Sequence, residues 1–182
     1  MASIIKVNEY KDFGNNAIMT SDGAGVITPN ADGIKNTPAF MAYISGGNQM
    51  VTDATYTLIA ANTERLDTDS CYDTSTYKFT PTAPGKYVAF SYVEGYSDGA
   101  SQCQSVEIGV KKNGSFYHRV RFNTIANQVA LLPNSINVIV EMNGSGDYLE
   151  FYGMVDGTAG NQSFVGDSDT QTYIGAYKLI GA

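Results

Sequence analysis

The sequence predicts an all-β protein, on three observations. β-Branched and aromatic residues dominate: 13 Val, 13 Ile, 16 Thr, 13 Tyr and 8 Phe stand against only 6 Leu, and such side chains suit a pleated surface better than a helix. Turn chemistry recurs along the whole chain, in 19 Gly and in repeated Asn-Gly and Asp-Gly pairs. From residue 38 onward, short alternating runs follow one another at even spacing, the pattern of a sandwich or barrel.

Taken in order, residues 1–37 form a unit of their own. Gly14-Asn15-Asn16, Ser21-Asp22-Gly23, Pro29-Asn30 and Asp32-Gly33 leave room only for very short strands around Ile4, Ile5, Val7, Ile18, Val26 and Ile27. Such a segment buries too little surface to offset its own ordering entropy. Two readings stay open: a partly disordered tail, or a segment that orders against a partner or against copies of itself.

The regular part begins at Thr37-Pro38. Strands are predicted over residues 38–45, 54–61 and 75–80, with a polar loop over 66–73. The strongest strand covers 85–94, after the turn at Pro81 to Pro84. Further strands are predicted over 103–111, 115–124, 135–142, 146–155 and 172–180. One hairpin can be read in register. Val106, Ile108 and Val110 alternate on one face, as do Phe116, Val120 and Phe122. A two-residue Asn113-Gly114 turn would oppose Val110 to Tyr117 and break that match. The sequence therefore predicts a three-residue Lys112-Asn113-Gly114 loop, Val110 opposite Phe116, positive φ at Gly114, and His118 on the apolar face.

Several strands are apolar on both faces. Val88, Phe90 and Tyr92 alternate with Tyr87, Ala89, Ser91 and Val93; Tyr173 and Tyr177 alternate with Ile174 and Ile180. An antiparallel sandwich wets one face of each sheet, so a second apolar face implies a subunit interface or a loop folded back.

Composition excludes several functions. With 11 Lys+Arg against 18 Asp+Glu, the net charge is −7, which would repel a nucleic acid. No apolar run is long enough for a membrane span, and the first ten residues lack the apolar stretch of a signal peptide. A single histidine, His118, leaves no triad or His-based metal site easy to build, so no enzyme and no metal site is expected. Cys71 and Cys103 are either a bridge or two buried thiols.

Certain stretches carry a resemblance. Pro38-Ala-Phe-Met-Ala-Tyr43, Tyr77 to Ser91 with its Pro84-Gly-Lys-Tyr-Val-Ala-Phe90 core, Lys111-Lys-Asn-Gly-Ser115, Gly146-Asp-Tyr-Leu-Glu-Phe151 and Tyr173-Ile-Gly-Ala-Tyr177 resemble, in order, the C1q-like (TNF-like) globular head over residues 38–182. That resemblance implies a ten-stranded antiparallel jelly roll, a homotrimer, and a trimer interface at Phe40, Tyr43, Tyr87, Tyr173 and Tyr177. The opening, from Ile4-Ile-Lys-Val-Asn-Glu-Tyr10 to Gly33-Ile-Lys-Asn-Thr-Pro-Ala-Phe40, resembles fibre-type proteins of tailed, aquatic bacteriophages. No collagen-like Gly-x-y stalk precedes the head.

Candidate sites divide by chemistry. Asp67-Thr-Asp69-Ser-Cys-Tyr-Asp73 lacks the glycine and glutamate of an EF-hand and reads as a solvated turn. Asp167 and Asp169 leave a calcium site open without fixing its ligands. His118 reads as a core histidine. Tyr117, Arg119 and Arg121 form a basic and aromatic strip suited to a sugar or a carboxylate. Asn113, Asn143 and Asn161 fit the glycosylation pattern but read as turn residues. The expected function is a homotrimeric structural protein of a phage virion, made in the host cytoplasm: a tail fibre, head decoration or adaptor. It would be anchored to other virion proteins through Ile4, Ile5, Val7 and Tyr10 and turned toward a host-surface glycan. The alternative is a free lectin-like module.

Overall fold

The structure is a computed structural model that describes residues 7–30, 35–98, 102–158, 160–167 and 170–180. Every regular element in it is a strand. β1 (Glu9–Lys11), β2 (Ala17–Ser21) and β3 (Ile27–Pro29) form a small antiparallel sheet in the order β1-β2-β3. The turns between them are tied by short polar side chains: the Asp12 carboxylate accepts from the Asn16 amide at 2.8 Å, and that of Asp22 from the Ala24 amide at 2.7 Å. These are local side-chain mimics of turn hydrogen bonds.

The remaining strands build a sandwich. They are β4 (Ala39–Tyr43), β5 (Gln49–Val51), β6 (Thr57–Leu58), β7 (Thr63–Asp67), β8 (Tyr72–Asp73) and β9 (Lys78–Phe79), followed by β10 (Gly85–Ser97), β11 (Cys103–Lys112), β12 (Ser115–Asn123), β13 (Leu131–Met142), β14 (Leu149–Gly157), β15 (Gln162–Phe164) and β16 (Tyr173–Lys178). A seven-stranded sheet runs β5-β15-β10-β16-β4-β7, with β13 on the other edge of β10; a six-stranded sheet runs β12-β11-β14-β9-β8, with β6 also on β14. From β10 onward the chain passes back and forth between the sheets, which makes the sandwich a jelly roll.

Alternation along β10 decides what lies between the sheets. Tyr87, Ala89 and Val93 are fully buried, whereas Val88, Phe90 and Tyr92 point away and are half-buried. Phe40 stacks on Tyr72 and Phe79 at centroid distances of 4.5 and 4.6 Å, and Phe79 meets Tyr87 edge-on at 5.8 Å. The Tyr87 and Tyr72 hydroxyls donate to the carbonyls of Ala83 and Ala61, at 2.7 and 2.8 Å. These aromatics fill one end of the core with their polar tips satisfied. Phe40 and Tyr87, expected at a subunit interface, therefore belong to the interior and cannot meet a neighbour.

Three further expectations change. The predicted loop over 66–73 contains the end of β7 and all of β8, because the Asp67 carboxylate accepts from the Cys71 and Tyr72 amides at 3.1 and 3.0 Å and folds the turn between them. The strand expected over 54–61 contracts to Thr57–Leu58. A stretch read as loop supplies β15, which joins β5 to β10.

The hairpin departs most. Asn113 and Gly114 both have positive φ, 52° and 80°, and form a two-residue turn with Lys112 opposite Ser115. A bulge then places Val110 opposite His118, Ile108 opposite Val120 and Val106 opposite Phe122. Positive φ at Gly114 is as expected, but the loop length and the Val110–Phe116 pairing are not. The bulge absorbs the extra residue that a longer loop was invoked to hold. It also leaves β12 at the rim, where His118 is exposed rather than in the core.

Candidate functional site

Among the described residues, three surfaces stand out once the core is accounted for. The first is the outward face of the seven-stranded sheet. The register sets Tyr43 beside Tyr173, Ala39 beside Tyr177, Val88 beside Tyr177, and Tyr92 beside Tyr173. Phe90 lies against Gly175, where an added Cβ would fall 2.2 Å from its ring. Tyr92 stacks on Tyr173 at 5.5 Å, and Phe90 meets Tyr173 and Tyr177 at 6.4 Å each. Glycine at 175 lets the aromatic layer settle onto the sheet. Tyr43, Tyr173 and Tyr177 thus share one outward surface, joined by Phe90, Tyr92 and Met41, which the sequence reading did not single out as site residues.

The second surface is the outward face of the six-stranded sheet. Its centre is Glu107, which is 7% exposed. Arg121 Nε binds one carboxylate oxygen at 2.8 Å, Arg119 Nη1 lies 3.7 Å from the other, and the Tyr56 hydroxyl donates to the same carboxylate. Arg119 Nη1 also donates to the Tyr56 oxygen at 2.9 Å. Burial and the neighbouring carboxylate push the Tyr56 hydroxyl pKa upward. Beside this group, Phe116 lies between Tyr56 at 4.8 Å and Tyr152 at 6.1 Å. The expected strip is thus rearranged. Arg119 and Arg121 are on this face, but Phe116 takes the place of Tyr117, whose hydroxyl reaches across to the Ile139 carbonyl on β13 at 3.2 Å.

The third surface is the N-terminal sheet. Val7 and Tyr10 are 42% and 51% exposed, and Phe13, Val26 and Ile27 are exposed as well. Ile4 and Ile5 lie outside the described residues.

Other candidates resolve into structural roles. The Asp73 carboxyl is held down to about 2 by hydrogen bonds from Ser75 and Thr76. Asn113 donates to Asp147 at 2.8 Å and Asn161 to Asp98 at 2.8 Å, so these asparagines tie turns together. Asp169 lies outside the described residues, and among those described no group of three or more His, Cys, Asp or Glu is placed to hold a metal. Cys71 and Cys103 are buried free thiols, and burial pushes the Cys103 thiol up to about 11.

The two-sheet order, the aromatic core and the crossing connections define a jelly roll of the C1q/TNF kind. Solved structures of that kind are similar to the chain. An Eiger TNF from S. frugiperda superposes with a TM-score of 0.53 at 13% identity, covering 79% of this chain and 93% of its own. The globular domain of a zebrafish complement 1qA protein gives 0.51 at 12% identity, covering 79% of this chain and 98% of its own. Murine APRIL gives 0.52 at 12% identity, covering 78% and 98%. At such identities the likeness is one of fold. The sequence matches no protein-family model and no curated protein.

Proposed function

We propose that the chain is a self-assembling, non-enzymatic jelly-roll head: a homotrimer that serves as a structural component of a phage virion. The observation that carries the self-assembly is the aromatic outer face of the seven-stranded sheet. Tyr43, Phe90, Tyr92, Tyr173 and Tyr177 form one continuous layer, and such a layer gains most from being covered by protein. A closed threefold ring needs two different patches, since each subunit meets the next head to tail. Leu131 and Ile139, 46% and 55% exposed, carry the first face out to its edge on β13, and a second patch lies beyond it on the rim strand β12, where Phe122 is 50% exposed. The face of one subunit would meet the rim of the next.

Residues 1–37 would be the attachment to other virion proteins, with the head over 38–182 projecting from it. Support comes from the small β1-β2-β3 sheet, whose exposed Val7, Tyr10 and Ile27 suit a covering partner, and from the resemblance of the opening to phage fibre proteins. The same role as fibre, head decoration or adaptor places the chain in the virion after synthesis in the host cytoplasm. A free lectin-like module is the second reading, favoured by the basic and aromatic face around Phe116.

Mass spectrometry of purified particles separates the two readings. The chain is expected in the particles, and deletion of residues 1–37 should leave a soluble head that no longer enters them. Absence of the full chain from particles would overturn the virion reading.

A further inference from the structure

We propose that the outward face of the six-stranded sheet binds a carboxylate-bearing saccharide, with Phe116 as the apolar contact and Arg119 and Lys111, which lie over its ring, as the cations. The inference names a ligand class for the head proposed above, and it lies on the sheet opposite the aromatic assembly face.

Spacing is the first argument. In a regular strand, positions 116 and 119 point to opposite faces. The bulge between Val110 and Lys111 of the β11–β12 ladder turns both to the outside, together with Arg121. Bulges of this kind re-aim side chains, and they concentrate beside binding and active sites.

Pre-organisation is the second. Phe116 is 38% exposed yet seated closely on the sheet: a Cβ at Gly109 would fall 2.5 Å from one edge of its ring, so glycine there gives the ring its room. Tyr56 and Tyr152 brace it from two sides. A fixed aromatic ring with part of its surface open to water, and with cations over it, offers the C–H groups of a pyranose an apolar contact beside positive charge.

Charge is the third. Lys111 Nζ stands 4.7 Å from the Phe116 centroid and 3.7 Å from that of Tyr152, and the Arg119 guanidinium carbon stands 5.0 Å from the Phe116 centroid. Lys111, Arg119 and Arg121, with Lys78 beside them, outweigh Glu107 and Glu150 on this face, on a chain whose net charge is −7. Arg119 commits Nη1 to Tyr56 and Glu107, yet its side chain is 50% exposed, so a carboxylate can reach the guanidinium. Glu107 holds both arginines in place and leaves the patch cationic. An acidic peptide shares the carboxylate but has no ring to cover Phe116.

The test is an NMR titration of the full chain with glucuronic acid, glucose and polyglutamate in parallel. Glucuronic acid should give saturable shifts at Phe116, Tyr152 and Arg119, with glucose and polyglutamate much weaker. Arg119→Gln and Gly109→Ala should each weaken glucuronic acid about tenfold or more, while circular dichroism and sedimentation match the unaltered chain. Absence of saturable shifts, equal response to glucose or polyglutamate, or undiminished binding in folded Arg119→Gln would each overturn the proposal. The particle mass spectrum does not bear on these outcomes, so failure here leaves the virion reading standing.

Discussion

At the scale of single residues, parity within a strand decides between core and surface, and parity is hard to read where both faces are apolar. Ala39, Met41 and Tyr43 alternate with Phe40, Ala42 and Ile44, and neither set is polar enough to mark the outside. The stacks of Phe40 on Tyr72 and Phe79 settle the side, and those partners are distant in sequence. Ionisable residues are more local in their effects. Asp147 sits 2.8 Å from Lys112 Nζ and accepts from Asn113, which together hold its carboxyl down to about 2 from an ordinary 3.8. A carboxyl depressed in the folded state contributes stability that is present above 3.8 and is lost as pH falls through about 2. Urea midpoints of the unaltered chain should therefore fall between pH 4 and pH 2 more steeply than those of Asp147→Asn. Parallel curves for the two would contradict this role for Asp147.

At the scale of elements, the long strands were legible and the joints were not. β10 and β11 begin at the expected residues because their alternation is strong and their bounding turns are rich in Gly, Pro and Asn. The short pieces β5, β7, β8 and β15 were hidden, since strands of two to five residues with polar members carry too little pattern to separate from loop. The β11–β12 hairpin shows the same limit. Burial demanded an odd offset, which the sequence reading supplied with a three-residue loop, whereas the structure supplies it with a bulge after a two-residue turn. Only the ladder distinguishes them, and with it the face on which Phe116 lies. The two-residue turn makes a direct demand on Gly114, whose φ is +80°. Gly114→Ala should cost about 1–2 kcal/mol in chemical denaturation, because an L-residue is strained in the left-handed region. A cost near zero would mean that the turn relaxes to another type.

At the scale of the whole molecule, the account rests on the division of labour between two faces. The six-stranded sheet turns outward an aromatic surface with a surplus of cations around Phe116; the seven-stranded sheet turns outward tyrosine and phenylalanine. The low charged fraction, 16%, fits a chain that keeps part of its surface for its own copies. That some strands are apolar on both faces was legible in the pattern of residues, as was a sandwich or barrel; the jelly roll came from the C1q-like resemblance. Which tyrosines face outward was only half legible, because Tyr43, Tyr173 and Tyr177 share their strands with buried neighbours. The central claim is assembly through the outer face of the seven-stranded sheet, and sedimentation equilibrium at micromolar concentration tests it most directly. The full chain should weigh three times its 19.5 kDa. Phe90→Lys, at the centre of the layer, should weigh one chain while keeping its β-sheet circular dichroism. A monomeric full chain, or a Phe90→Lys variant that remains trimeric, would contradict the account.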